Sequence, residues 1–569
     1  MAERIEVLKG PSALLNGMPP AGSVGGSINI VPKRAQDRPM TRLTTGYFSD
    51  RQLGVHLDAG RRFGQNKEFG VRFNGVYRDG DTAMNHQEKN LKFAALGLDW
   101  RGEKVRISAD LYHSDEDLRG LNRGVSLVAG LSLPKAPKPE TLLAPDWTFG
   151  KTKDRAVMLR GEFDLAENLT AYAAVGKSKT DFDALASSVY EIYNAAGDFR
   201  NNYAHQRAIL DKESAEIGAR GKFRTGDIGH EIAITATHYA HDYQFGFLRN
   251  VLTTPWVTNI YHPIWGPSVD TSYSHAHVPK TAALRTRSYG IADTLSLAGD
   301  RVQLTLGVRR QEVVSDTFNA TTGQRTARYD ENATTPAALL LVKLTNRISA
   351  YANYIEGLSQ GSTAPLTAAN AGEVFAPYKT KQREAGVKLD LGDFAATASL
   401  FQIQQPNAYT DPTSNIYGYD GEQRNRGVEF SFFGEPFPAL RLMGGIAYTE
   451  AKLSKTAGGV NEGKLAIGMP KWQAKLGAEW DIRAVQGLTL TGGLTSASRQ
   501  AIDADNSRWV PGRTIYDLGA RYAATLGGKP VVFRADLRNV TNKAYWASGA
   551  LWHGQGAPRT LMLSATVDF

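Results

Sequence analysis

The sequence contains no cysteine. This absence excludes a disulfide framework and any metal site built on thiolates, and it is compatible with export through an oxidising compartment. Long apolar runs are missing as well. The longest, residues 337–342, is far shorter than the ~20 residues that a membrane-spanning helix needs. Strands carry only half of their side chains toward lipid, so a transmembrane β-barrel is still allowed.

The sequence also lacks a block of one charge. Its formal net charge is +9, but Lys and Arg are scattered among Asp and Glu along the whole chain. Basic residues dispersed in this way do not predict a nucleic-acid partner. No linker or low-complexity segment divides the chain, which favours one large architecture over several small domains.

Catalytic signatures are absent too. The chain has no G-x-S-x-G, no Walker loop and no H-E-x-x-H motif, and its glycine clusters do not fit a dinucleotide loop. We therefore predict no catalytic residue and no enzyme activity. His275 and His277 would share one face of an extended segment, where they could bind a metal or decorate a polar loop. We favour the loop and predict no metal site.

Alternation of apolar and polar residues with a period of two recurs along the chain. It is clear in residues 105–111, 302–308, 531–537 and 561–569. Such strands have one apolar face and one polar, often charged face. In a soluble sheet the polar face meets water, whereas in a membrane barrel it lines the lumen.

Short turn signals separate these strands and favour the barrel. Ten of them occur, each followed by enough residues for two strands and one longer loop. They lie at Gln65-Asn66, Arg101-Gly102, Glu167-Asn168, Gly226-Asp227, Gly299-Asp300, Thr345-Asn346, Gly392-Asp393, Pro436–Pro438, Val485–Gly487 and Gly527-Gly528. The spacing is too uneven for the constant repeats of a propeller. Eleven hairpins from Thr41 to Phe569 predict 22 strands, a size that holds a plugged lumen.

The same reckoning predicts nine long loops on the opposite side of the barrel. Connections of that length in a compact fold are usually functional or mobile. They are residues 113–152, 183–211, 243–286, 315–335, 357–381, 405–425, 451–471, 497–513 and 544–558.

The first stretch, residues 3–33, has a different character. Gly10-Pro11 ends a short strand that contains Ile5 and Val7, and a helical turn capped by Ser12 ends at Gly17. A glycine- and proline-rich loop then leads into a second strand, residues 27–31. Two short strands cannot bury a core of their own, so we expect the rest of the chain to enclose them.

Residues 3–33 resemble the end of the plug of TonB-dependent outer-membrane receptors. The resemblance rests on Glu6-Val7, Gly10-Pro11, Gly17, Gly25-Gly26, Asn29, Ile30-Val31 and Lys33. Later segments also resemble that family: Pro377-Tyr378-Lys379 with Lys381-Gln382, the set Arg424, Gly427 and Glu429, and the closing stretch from Asn539 through Tyr545, Gly556, Pro558-Arg559 and Phe569.

The resemblance implies an all-β fold: a transmembrane antiparallel β-barrel of about 22 strands, residues 41–569, with the C-terminal part of a lumenal plug, residues 1–40. It implies a monomer in the outer membrane of a Gram-negative bacterium, in contact with lipid and lipopolysaccharide. The expected function is import of a ferric siderophore, powered through the TonB complex. Residues 377–390 and 406–430 look most similar to the ferrichrome and hydroxamate branch. Iron would enter within the siderophore, so no cofactor is expected.

The chain opens directly with plug-like sequence and no signal peptide. We therefore expect the TonB-contacting segment to lie outside it. Three alternatives are open: a TonB-dependent transporter of another cargo (a catecholate siderophore, cobalamin, haem or a sugar), a passive outer-membrane pore, and a soluble secreted β-protein.

Aromatic residues in the predicted loops are the candidate ligand contacts, because a ferric siderophore is compact, oxygen-rich and partly apolar. Others of these rings must form a membrane girdle or pack the loops. Asn16 stands where the plug of this family often carries a ligand-facing Tyr. The predicted ligand-binding residues are Trp256, Tyr261, Trp265, Tyr417 and Trp552, with Ser12 and Asn16 from the plug.

Overall fold

The computed structural model describes residues 2–11, 14, 17–18, 25–249, 251–266, 268–269, 278–548 and 552–569. Strands account for nearly all of its regular structure. Within these ranges, no helix is long and apolar enough to cross a membrane.

The strands are numbered in chain order. They are β1 (Ala2–Lys9), β2 (Gly26–Pro32), β3 (Met40–Phe48), β4 (Gln52–Phe63), β5 (Phe69–Asp79), β6 (Lys89–Arg101), β7 (Val105–Arg119), β8 (Ser126–Leu127), β9 (Phe149–Ala166), β10 (Leu169–Ile192), β11 (Asp198–Thr225), β12 (Ile228–Arg249), β13 (Trp256–Asn259), β14 (Lys280–Leu297), β15 (Val302–Phe318), β16 (Arg325–Lys343), β17 (Ile348–Ser359), β18 (Tyr378–Asp390), β19 (Phe394–Thr410), β20 (Tyr417–Phe437), β21 (Leu440–Lys455), β22 (Trp472–Asp481), β23 (Leu488–Ala497), β24 (Gln500–Ala501), β25 (Trp509–Val510), β26 (Arg513–Leu526), β27 (Lys529–Arg538), β28 (Trp546–Ser548), β29 (His553–Gln555) and β30 (Thr560–Asp568).

Twenty-two long strands form a closed antiparallel barrel, as the turn spacing predicts. They are β3 to β7, β9 to β12, β14 to β23, β26, β27 and β30. The last strand closes the cylinder by pairing with both β27 and β3. Closure leaves no unpaired edge, which the apolar core of a membrane requires.

The ten predicted turns all connect consecutive barrel strands on one side. The predicted loop boundaries are wrong in several places: residues 243–286 overlap the end of β12 and the start of β14, and three other predicted loops are wrong over most of their length. Residues 183–211, 315–335 and 405–425 are mostly paired strand, and only 193–197, 319–324 and 411–416 connect the strands there. These hairpins project past the membrane because cross-strand pairing satisfies their backbone groups even where the side chains are polar.

The outer face of the barrel carries two bands of exposed aromatic rings. On β22, Trp472 and Trp480 are 54% and 57% exposed, and Phe69 and Tyr77 on β5 have the same spacing. Eight residues span ~26 Å along a strand, or ~20 Å along the membrane normal at a tilt of about 40°. Two aromatic belts at this separation bracket the lipid-facing zone of a membrane barrel.

The inner face carries ion-pair networks. Asp58 accepts hydrogen bonds from Arg72 at 2.6 Å and from Lys33 at 2.7 Å. Elsewhere on the wall Arg441 donates to both carboxylate oxygens of Asp481 at 2.7 Å. Groups of opposite charge thus satisfy each other on a polar inner wall, the arrangement expected of a lumen.

The N-terminal segment, residues 2–39, contacts this inner wall. Its strands β1 and β2 pair antiparallel, as predicted. Lys9 forms an ion pair with Glu429 at 2.6 Å, and Arg34 forms one with Asp110. These contacts join the segment to opposite sides of the chain's inner surface. The apolar side chains of the hairpin stay exposed, Ile5 at 63% and Ile28 at 69%, so the wall holds the segment through polar contacts and not by burying it.

Candidate ligand-binding vestibule

The inner end of the candidate site is formed by Leu14, Gly17 and Met18 of the N-terminal segment. The backbone N–H of Met18 donates to Oε1 of Gln311 at 2.5 Å, and Met18 is 4% exposed. The guanidinium of Arg309 donates to the backbone carbonyl of Leu14 at 2.8 Å. Gln311 and Arg309 are both buried on β15, so the barrel wall holds the segment by its backbone.

Arg309 is the centre of a hydrogen-bond network on the inner wall. It also donates to Oγ of Ser288 at 2.6 Å and to Oγ1 of Thr235 at 2.7 Å. Ser288 shares a hydrogen bond with Thr237 at 2.6 Å. The network therefore links β12, β14 and β15 to the N-terminal segment in one set of buried polar contacts. Buried networks of this kind are rigid when every member is satisfied.

An aromatic stripe runs outward from this network along β12. It consists of alternate residues on one face: Tyr239, His241, Tyr243, Phe245 and Phe247. Tyr243 and Phe245 stack with centroids 5.7 Å apart, and Phe245 and Phe247 with centroids 5.6 Å apart. Tyr239 packs against the cluster that contains Met18. The stripe thus leads from the extracellular end of the barrel to the N-terminal segment.

The long loops pack together into a cap with an apolar core of its own. Its buried members come from five different connections and hairpin tips. They are Val125, Leu143, Tyr190, Ile192, Phe199, Ile260, Val510 and Trp546. A cap that buries large side chains fixes the loop positions around the vestibule.

Polar contacts fasten the loops of this cap to one another. Arg508 donates to the backbone carbonyl of Leu131 at 3.0 Å and to Oδ2 of Asp503 at 2.7 Å. Trp546 donates from Nε1 to the carbonyl of Pro134 at 2.8 Å. Burial would raise the pKa of Asp503, but the hydrogen bonds from Arg508 and Ser507 outweigh it and hold that pKa well below its usual range. Asp503 therefore stays ionised at neutral pH.

Three of the predicted ligand residues lie in residues 250–279, and their contacts are within the loops. Trp256 donates from Nε1 to the carbonyl of Ile264 at 2.8 Å. Tyr261 donates to the carbonyl of Lys135 at 3.0 Å, and burial raises its pKa. Trp265 makes an edge contact with His86 at 5.3 Å. These rings help to hold the cap together.

The other predicted residues are elsewhere. Tyr417 packs edge-on against Phe375 at 5.8 Å, in a second aromatic cluster with Tyr378 and Tyr419. Trp552 is 40% exposed. Among the described residues, no ring contact joins Tyr417 or Trp552 to Trp256, Tyr261 or Trp265, and their ligand role stays a prediction. Ser12, Asn16, His275 and His277 lie outside the described residues, and the described part of the chain contains no group of three metal-ligating side chains.

The sequence-based reasoning missed the stripe on β12. Its signal was present: Y-A-H-D-Y-Q-F-G-F places a ring at every second position from 239 to 247. The prediction assigned residues 243–286 to a loop, so the alternation at the end of the strand was not read as one face. Arg309 and Gln311 are polar positions in the alternating pattern of β15, like those of any other barrel strand. Only the fold shows that they contact the N-terminal segment.

The barrel, its aromatic belts and the capped vestibule together define the class of protein. A closed 22-stranded antiparallel barrel with two outward aromatic belts and a polar inner wall is typical of the large outer-membrane barrels.

Comparison with known proteins makes the family specific. The family model "TonB dependent receptor-like, beta-barrel" matches residues 106–540. The ferrichrome receptor FcuA of Yersinia enterocolitica is 35% identical over 580 residues, covering 100% of this chain and 76% of that protein. The chain therefore belongs to the TonB-dependent receptor family of the Gram-negative outer membrane, whose members are transport receptors and not enzymes.

Solved structures agree. BauA, the ferric preacinetobactin receptor from Acinetobacter baumannii, superposes with a TM-score of 0.95 at 49% identity, covering 100% of this chain and 85% of that one. The siderophore receptor PiuA from the same species shares the fold, with a TM-score of 0.85 at 20% identity over 100% of this chain and 86% of that one.

Proposed function

We propose that this receptor binds a ferric siderophore in the vestibule and imports it across the outer membrane. The observation that carries the proposal is the aromatic stripe of β12, which ends at Met18 of the N-terminal segment. A ligand seated there would touch both the wall and the segment that must move for import. Relatives that are 35% and 49% identical are named as receptors for ferric siderophores.

The chemistry of the stripe suits such a ligand. Stacked rings offer flat apolar faces to the organic part of an iron chelate, while the Tyr239 hydroxyl and the His241 ring, 3.1 Å apart, offer polar atoms. Iron itself would remain coordinated by the siderophore. The protein then needs no metal ligand of its own.

Two cargoes are supported. The sequence resemblance favours a hydroxamate siderophore, and the match to FcuA, a ferrichrome receptor, agrees with it. The higher identity to BauA favours ferric preacinetobactin. We therefore propose a ferric siderophore as the cargo. A hydroxamate siderophore is the first candidate, and ferric preacinetobactin is the second.

We further propose that the N-terminal segment acts as a plug that TonB displaces. Opening requires the loss of the contacts between Arg309 and Leu14, between Gln311 and Met18, and between Glu429 and Lys9. The Arg309–Leu14 bond is a partly buried hydrogen bond to a charged group and contributes about 1.5–3 kcal/mol, whereas the exposed Lys9–Glu429 pair contributes less than about 1 kcal/mol. Spontaneous opening is therefore rare, whereas a mechanical pull on the segment can break the contacts in sequence.

Tryptophan fluorescence of the purified receptor, titrated with a panel of iron complexes, tests the binding proposal. The panel contains ferrichrome, ferric preacinetobactin, a ferric catecholate, haem and cobalamin. We expect saturable quenching at submicromolar concentration by ferrichrome or ferric preacinetobactin and none by cobalamin. Quenching by haem or cobalamin alone would overturn the siderophore proposal, and preference for the catecholate would overturn both cargo forms.

A further inference from the structure

The inward face of β11 runs beside the aromatic stripe of β12. The two strands pair in register, so residues directly opposite each other share one face of the wall. Lys212 lies opposite His241, in the inner half of the stripe, and Gln206 lies opposite Phe247, at its outer end. A molecule that binds the rings therefore also meets the inward side chains of β11.

Lys212 brings a positive charge to this face. Its Nζ donates to Oγ1 of Thr180 at 3.4 Å, and the same hydroxyl donates to Oδ1 of Asp154 at 2.6 Å. Asp154 is on β9, on the far side of β10 from the stripe. Among the described residues, no carboxylate forms an ion pair with Lys212. The charge closest to the inner rings is therefore positive.

Arg123 brings a second positive charge to the outer end of the stripe. It stands in the loop cap, two residues before Val125 of the cap's apolar core. Its Nη2 donates to Oε1 of Gln206 at 3.3 Å. Burial lowers the pKa of its guanidinium, and no carboxylate in the described part of the chain offsets that cost. A guanidinium stays charged in such a place, and it is stabilised when an anion binds to it.

The acid on the same face of β11 lies lower on the wall. Glu216 is opposite Thr237, on the periplasmic side of the stripe, where the charge of Arg309 acts on it. Between residues 206 and 214, Lys212 is the single charged residue among the inward positions of β11. The stripe is thus bordered by two positive charges along its length and by a negative charge only below its inner end.

Building on the proposed siderophore function, we propose that the vestibule selects ferric chelates with net negative charge, and that Lys212 and Arg123 set this preference. The rings take the organic face of the chelate. Lys212 binds an anionic oxygen near the inner end of the stripe, and the planar donors of Arg123 suit a carboxylate at the outer end. A neutral chelate of the same size leaves both cations without a counter-charge.

The sign of the charge beside the stripe can be measured without any siderophore. The chain has no cysteine, so L210C introduces a single thiol on the inward face of β11, opposite Tyr243. Its rates of reaction with the anionic sulfonatoethyl and the cationic trimethylammonioethyl methanethiosulfonates are compared. The anionic-to-cationic ratio should exceed that of free 2-mercaptoethanol. K212Q should lower the ratio about threefold, since the lost charge lies about 7 Å away along the strand and acts on the two reagents with opposite sign.

The matched control for this measurement is K179Q in the same L210C receptor. Lys179 precedes Thr180 on β10, so its exposed side chain points to the outer face of the barrel. The control should keep the ratio of L210C alone. A ratio no higher than that of the free thiol, or an equal drop in K179Q and K212Q, would overturn the proposal for every cargo. The heat-modifiable migration of each variant verifies that its barrel is folded.

A matched series of iron complexes tests the preference itself. Ferrioxamine B, its N-acetyl derivative and its N-succinyl derivative hold iron with the same three hydroxamates and carry one positive charge, no charge and one negative charge. By tryptophan fluorescence, we expect the succinyl derivative to bind about tenfold more tightly than ferrioxamine B, and R123Q/K212Q to abolish the difference.

Equal affinity for the three complexes, or no binding of the succinyl derivative, would overturn the proposed preference. In either case, quenching by a siderophore complex of the fluorescence panel keeps the siderophore function in place. Failure of that function has a different signature: no ferric siderophore of the panel or of the series binds, while the thiol of L210C still reacts preferentially with the anionic reagent.

Discussion

The decisive contacts of single residues join parts of the chain that are far apart in sequence. Arg309 and Gln311 lie almost 300 positions from Leu14 and Met18, yet they hold the N-terminal segment by its backbone. The stripe of β12 begins where those contacts end. The proposed binding site and the contacts of the N-terminal segment therefore share one small region of the inner wall.

The stripe should be the main determinant of affinity. We expect Y239A and Y243A each to weaken binding of the ferric siderophore by about tenfold, since a buried aromatic anchor contributes about 1–2 kcal/mol. Y289A is the control, because Tyr289 lies on the adjacent strand but faces outward, 57% exposed. Isothermal titration measures all three, and an equal loss in Y289A would contradict the assignment.

The hold of Arg309 on the N-terminal segment can be measured by hydrogen exchange. Replacing it with methionine removes hydrogen bonds to Leu14, Ser288 and Thr235. Loss of about 2 kcal/mol should speed exchange of the Met18 amide by about 30-fold. The neighbouring variant R310M, which changes an outward arginine, should leave that rate unaltered. An unchanged rate in R309M would show that the segment is held by other contacts.

His553 makes the loop cap sensitive to acid. It is 2% exposed, and burial, together with the nearby Arg508 charge, lowers its pKa below the ordinary value near 6.5. The His553 imidazole therefore binds a proton more readily in the unfolded loop than in the folded one. The stability contributed by His553 is thus present above pH 6.5 and is lost as the pH falls below it.

Limited proteolysis of the cap at pH 7.5 and 5.5 measures this effect. We expect faster cleavage within residues 539–559 at the lower pH in the parent receptor. The variant H553L should show no such difference, because leucine cannot bind a proton. Faster acid cleavage in both proteins would mean that another group carries the effect.

At the scale of elements, the N-terminal segment and β15 fit closely together. The methyl groups of Leu14 occupy the space that a Cβ at position 307 would fill, and glycine leaves that space open. The variant L14C/G307C places one thiol on each side of this contact, and oxidation can then join the two positions by a disulfide. The absence of other cysteines keeps the cross-link unambiguous.

Planar-bilayer conductance in urea tests whether this contact closes the barrel. Urea should open the parent receptor by releasing the N-terminal segment, whereas oxidised L14C/G307C should stay closed at the same concentration. Reduction should restore opening. The single variant L14C controls for the loss of the leucine. Equal conductance of the oxidised and reduced forms would contradict closure by this segment.

Sequence patterns predict the strands well, but they predict the tertiary contacts between distant segments poorly. Alternation and ten turn signals are local, so the strand number and the pairing order follow from them. Local patterns do not predict how far β10, β11, β16 and β20 extend beyond the membrane. Cross-strand hydrogen bonds keep these polar segments in strand conformation. The contact of Arg309 with Leu14 depends on how the barrel closes, and no local pattern reports it.

In the whole molecule, the outer face of the barrel, its inner face and the loop cap carry different features. The outer face carries the aromatic belts, and the inner face carries ion pairs and contacts the N-terminal segment. The loop cap shapes the entrance above the stripe. Family membership accounts for the barrel, while the proposed binding site lies in the vestibule.

We propose that a ferric siderophore binds between the stripe and Met18. A crystal structure of the receptor with bound ferrichrome or ferric preacinetobactin, phased to show the anomalous signal of iron, tests it most directly. We expect one iron peak inside the vestibule, beside Tyr239 and Tyr243 and above Met18. Iron bound only on the outside of the loop cap, or no iron peak with either complex at saturating concentration, would contradict it.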